Sequence, residues 1–239
     1  MDETFRIAGK GSLLFIAIVV FAILLLILIP FILLGLAGTA FSRLGFSWIA
    51  AIAIIILMLI GYFVNIPVIS LKTAGNGAHD GRNDVFDAFS GEPVGNGSSS
   101  TTITLNLGGF FIPVGVLAYL LYETGHIMSA RIFFSIAVCI LVVSLIMAAL
   151  TRIDPILGIR TPQVIPALSA IACGVLLSGG IGLESALIAF AGGIVGILLG
   201  ASAVSLVRGR RAGLHRINIG GAGMFGPIFI CALLSALIA

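Results

Sequence analysis

The stretch LLFIAIVVFAILLLILIPFILL, Leu13 to Leu34, carries no charged side chain. About 20 apolar residues suffice to cross a bilayer as a helix, so this stretch decides the class of the fold. Arg6 and Lys10 precede it, which gives it the outline of a signal peptide. A signal core runs only about 7–15 residues; the stretch therefore reads as an uncleaved first helix.

The rest of the chain has the same character. Its 239 residues are 60% hydrophobic and 9% charged, with a mean hydropathy of +1.27. Soluble domains carry about 25% charged residues, so the composition excludes a soluble catalytic module and makes residues 1–239 a single transmembrane domain. The net charge of +3 comes from 12 Lys+Arg against 9 Asp+Glu. In such a protein this balance reports loop topology and not a nucleic-acid partner.

Run length predicts an all-α polytopic fold with seven spans, at residues 12–38, 47–71, 103–122, 132–150, 164–177, 185–207 and 217–238. The fifth is short, opened by Pro162 and closed by Ser178-Gly179-Gly180-Ile181-Gly182. Strict alternation puts Arg6, Lys10, Lys72, Arg82, Arg152, Arg160, Arg208, Arg210, Arg211 and Arg216 on one side, and only Arg43 and Arg131 on the other. The positive-inside rule then places the N-terminus in the cytoplasm and the C-terminus outside. Residues 72–102, rich in Gly, Asn, Ser and Asp, are expected as a flexible cytoplasmic loop, with Val85-Phe86-Asp87-Ala88-Phe89 as a short amphipathic turn on the membrane surface. Its carboxylates, Asp80, Asp84, Asp87 and Glu92, fail the calcium-loop spacing.

No Asp, Glu, Lys or Arg falls in the middle of an expected span, which argues against a proton relay or an aspartyl protease. His79, His126 and His215 lie in loops or at helix ends, unsuited to haem, and neither HExxH nor GxSG occurs. Cys139, Cys173 and Cys231 stand singly in apolar runs and read as small buried hydrophobes. No metal and no cofactor is expected.

The spans do hold three asparagines beside Gly or Pro: Asn65-Ile66-Pro67, Asn106-Leu107-Gly108-Gly109 and Asn218-Ile219-Gly220-Gly221. The last two motifs form a weak repeat, continued by Phe111 and Pro113 in one and by Phe225 and Pro227 in the other. Glycine pairs ahead of a proline weaken a helix and free backbone groups, which need a neighbour, water or a ligand. Asn65, Asn106, Gly108, Gly109, Asn218, Gly220 and Gly221 are therefore candidate substrate-binding residues, expected to converge between helices 2, 3 and 7. The competing reading is packing, with asparagines tying helices together. Gly192, Gly196 and Gly200, spaced four apart, are expected as a helix-packing face.

At these residues the chain resembles the uncharacterised prokaryotic membrane proteins of domain-of-unknown-function family 1614. The matching pieces are Asn65-Ile66-Pro67, Asn106-Leu107-Gly108-Gly109 with Pro113, Gly200-Ala201, Ile219-Gly220-Gly221-Ala222-Gly223, Phe225 and Ile228-Phe229. The resemblance covers roughly residues 50 to 239. It implies an aspartate two residues after Gly200 and another directly after Phe225, where this chain has Ser202 and Gly226. Any chemistry of those carboxylates would be missing here.

Three functions stay open: a small-solute or anion transporter with its site at broken helices 3 and 7, a non-catalytic subunit or scaffold of a membrane complex, and a degenerate membrane enzyme. The favoured expectation is a multi-pass protein of the cell membrane without catalysis, a non-enzymatic subunit or scaffold of a membrane complex ahead of the other two. Its partners would be the lipid bilayer and other membrane subunits, with no nucleic acid.

Overall fold

The computed structural model describes residues 2–72, 100–125, 129–154, 158–210, 214 and 216–239. It is 73% helical. Helix α1 (Asp2–Arg43) turns at Gly45 into α2 (Trp48–Gly61), and strands β1 (Asn65–Lys72) and β2 (Ser100–Asn106) follow. A π-helical turn, Leu107–Phe111, leads into α3 (Ile112–Thr124), and α4 (Ala130–Leu150) precedes the hairpin β3 (Arg152–Asp154) and β4 (Gly158–Arg160). Then come α5 (Ile165–Ser178), α6 (Leu183–Val204) with a second π-helical turn (Ser205–Gly209), β5 (Arg216–Ile219) and α7 (Phe225–Leu237).

The strands correct the all-α expectation. Each expected span contains one α-helix, but the second is helical only to Gly61, and the third and seventh begin as strands. The order β1-β2-β5 makes a mixed sheet, β1 antiparallel and β5 parallel to β2. The expected loop is shorter too, because Lys72 pairs with Ser100 and Thr102 with Ser70. Residues 73–99, including Val85–Phe89 and His79, lie outside the described residues, as do His126 and His215.

Local chemistry sets the helix ends. The Ser47 hydroxyl caps α2 by accepting from the Ala50 N–H at 3.2 Å. Pro166 sits in the first turn of α5, where its missing N–H costs nothing, and Gly179 ends that helix in the left-handed region at φ 85. Among the described residues three helical stretches are long and apolar enough to cross a membrane: Leu107–Thr124, Ala130–Leu150 and Leu183–Gly209. Leu34–Arg43 and Trp48–Gly61, bent by 119°, meet the same measure together and count as a fourth if taken as one broken span.

Helix α6 is the axis of the bundle: 78% of its apolar window is buried, against 28% for α4. Added side-chain carbons at Gly192, Gly196 and Gly200 would meet Cys139, Val143 and Met147 of α4 in turn. Partners that advance together in steps of four mean that α4 and α6 run parallel. Helix α5 runs the other way, since Arg131 donates to the Leu177 carbonyl at 3.2 Å while the Cys139 thiol lies 3.9 Å from the Ala170 carbonyl. The connections after α2, α4 and α6 thus gather at one end of the bundle, which carries both sheets.

Candidate functional site

At the sheet end the three asparagines sit on adjacent strands. Register pairs Asn65 with Asn106, and Asn218 pairs with Thr104. Asn106, fully buried, accepts from the Gly109 N–H at 2.8 Å through Oδ1. Its Nδ2 donates to the carbonyls of Tyr62 at 2.6 Å and Val64 at 3.3 Å, and to Asn65 Oδ1 at 2.8 Å. Asn218 Nδ2 donates to the same Asn65 oxygen at 2.6 Å.

This chain fixes the amide orientations from one end. A backbone N–H can only donate, so Gly109 requires oxygen at the near position of Asn106, and its NH2 then faces Asn65. Asn65 must offer oxygen there, and Asn218 must answer with nitrogen. The asparagines therefore form a polar knot among strands, where the second, third and seventh expected spans meet; of the prolines in their motifs Pro113 and Pro227 are buried while Pro67 is exposed. The Asn218 Oδ1 atom is buried without a partner among the described residues.

The glycines of the motifs stand where backbones cross. A methyl group on Gly108 would strike the Met58 carbonyl and come within 2.5 Å of the Tyr62 nitrogen. One on Gly109 would strike the Gly220 carbonyl, and one on Gly220 would lie 2.7 Å from the Gly109 carbonyl carbon. Gly220 also has φ 78, the left-handed region that glycine enters without a steric penalty. Gly221 lies under the Asn218 amide. Tyr62 and Phe225 close the crossing from α2 and α7, ring centroids 4.8 Å apart.

A recess of about 320 Å³ opens beside the knot, lined by Gly158, Ile159, Leu214, Arg216, Asn218, Ala222 and Gly223. Sequence reasoning did not single out Arg216 or the β3–β4 hairpin, because their approach to Asn218 is purely tertiary. Thr161 donates to the Gly223 carbonyl and holds the hairpin to the turn before α7.

The two positions where the resemblance implied aspartates are occupied differently. The Ser202 hydroxyl is buried without a hydrogen-bond partner among the described residues. A side-chain carbon on Gly226 would run into the Gln163 amide. Cys139 and Cys231 place their sulfurs against Gly192 and Gly193 of α6, where they fill space. Among the described residues no group of three or more His, Cys, Asp or Glu could hold a metal ion.

Fold and site define a predominantly helical protein with apolar helices of membrane-crossing length, held at one end by a small mixed sheet. The chain belongs to the family described as "Protein of unknown function (DUF1614)", whose model matches residues 59–238. No curated protein and no solved structure matches the chain.

Proposed function

We propose that this protein is a seven-span component of the cell membrane, N-terminus cytoplasmic and C-terminus outside, that serves as a non-enzymatic subunit or scaffold of a membrane complex. The observation that carries this reading is the use of the asparagine amides. Asn106 spends both ends of its amide on Tyr62, Val64, Asn65 and Gly109. A ligand would have to displace those bonds, and leaving a buried amide unpaired costs about 1–3 kcal/mol. The candidate binding residues act as a clasp between the second, third and seventh helical segments, as the backbone crossings at Gly108, Gly109 and Gly220 also favour.

The alternating directions of α4, α5 and α6 support the seven-span count. At 14 residues α5 is roughly 21 Å long. That is shorter than the roughly 30 Å hydrocarbon core, a mismatch that local thinning of the bilayer accommodates.

The test is purification of the full chain at native expression in mild detergent, with identification of what accompanies it. A stoichiometric membrane-protein partner is the expected result; a chain that purifies alone and moves a solute across proteoliposomes would replace this reading. The recess lined by Arg216 and Asn218 favours one second reading, a carrier for a small anionic solute. It requires that Arg216→Gln abolish uptake without lowering folding yield.

A further inference from the structure

The β3–β4 hairpin contains an arrangement that folding alone disfavours. Arg152 and Arg160 are direct cross-strand partners. Such partners project from the same face, roughly 5 Å apart at Cβ, and like charges so placed are destabilising. Both are exposed, as are Arg208 and Arg210 at the end of α6 and Arg216 on β5. Among residues whose side chains are described, Asp154 is the one carboxylate at this end of the bundle, and it has an interaction of its own.

The helix ends that adjoin the hairpin in sequence carry exposed apolar side chains. Leu150, the last residue of α4, is 41% exposed, and Val164, Ile165 and Leu168 at the start of α5 are 47%, 52% and 55% exposed. Helix lengths explain the gap they line. From the Cys139–Ala170 contact, α4 runs eleven more residues to Leu150, while α5 begins five residues before Ala170. At 1.5 Å per residue α5 stops about 9 Å short of its neighbour. Arg152 follows Leu150 by two residues and Arg160 precedes Val164 by four, so the two arginines stand on the strands that lead out of α4 and toward α5 at this step.

We propose that this step is a docking site for an anionic phospholipid, whose phosphate lies between Arg152 and Arg160 and whose acyl chains lie along Leu150, Val164, Ile165 and Leu168. Charge complementarity selects the anionic head, because a phosphate accepts from two guanidiniums and relieves their mutual repulsion. The apolar floor selects a lipid over a soluble anion, which would gain nothing from it. Basic pockets between helices at the cytoplasmic face recognise lipid head groups on this principle.

The test uses the full chain, delipidated in detergent, with thermal unfolding followed as lipid is added and bound lipid counted by native mass spectrometry. Dioleoylphosphatidylglycerol is expected to raise the unfolding temperature and remain bound; dioleoylphosphatidylcholine and inorganic phosphate are expected to do neither. Arg152→Gln with Arg160→Gln should weaken phosphatidylglycerol binding about 25-fold, taking roughly fivefold for each basic side chain at an anionic surface. Arg43→Gln, at the opposite end of the bundle, should leave it unchanged. Equal binding of both lipids by the unaltered chain overturns the proposal even if the double variant fails to fold. So does undiminished binding by a folded double variant, and protection by phosphate alone would mean a soluble-anion site instead.

Discussion

Asn106 donates to the side-chain oxygen of Asn65 at 2.8 Å across 41 positions of sequence, and the same oxygen receives Asn218 at 2.6 Å. One acceptor thus joins three strands, two of which, β1 and β5, have no backbone pairing with each other. The three amides are not equivalent: Asn106 is fully buried with four contacts, whereas Asn65 and Asn218 keep some exposure.

That inequality ranks the asparagine variants. Asn106→Ala should cost about 1–3 kcal/mol, because it strands the Gly109 N–H and the Tyr62 carbonyl in a buried place. Asn218→Ala removes one bond and should cost under about 1 kcal/mol. Unfolding in detergent measures both, and equal losses would contradict the ranking.

Gly109→Ala should abolish folding or sharply reduce yield, since its methyl would occupy the Gly220 carbonyl. Gly115→Ala is the matched control: it lies within α3 and nothing stands within 4 Å of the added carbon. There the change should stabilise by about 0.4–1 kcal/mol, the usual gain of alanine over glycine in a compatible helix.

Gly196→Leu should lower the unfolding temperature, because the new side chain would enter Val143 of α4, whose Cβ lies 2.7 Å from the added carbon. Overpacking of this kind costs about 1–3 kcal/mol or more. Leu199→Ala, on an exposed position of the same helix, should change stability much less. Comparable losses at the two sites would mean that this helix face is not tightly packed.

A reporter fused after Ala239 should read as outside and one placed near Gly97 as cytoplasmic, on the asymmetry of Lys and Arg. Matching signals from the two fusions would remove the seven-span topology.

Leu13 to Leu34 and the low charge content determined, by themselves, that the chain is apolar and mostly helical, because hydrophobic run length is a local property. The Asn-x-Gly-Gly motifs likewise stood out as positions with a task, since asparagine and paired glycines are costly inside a span unless something there uses them. The sequence concealed the strands. From Trp48 through Leu71 the chain is apolar almost throughout, so Asn65–Lys72 continues the signature of the helix before it. Strand pairing is not local: β1 finds β2 beyond residues 73–99, and β2 finds β5 more than a hundred residues on. Only tertiary structure decided that the three asparagines satisfy one another, that Gly109 meets Gly220, and that Arg152 stands opposite Arg160. Each depends on register between distant segments, which is set when their backbones pair and their helices pack.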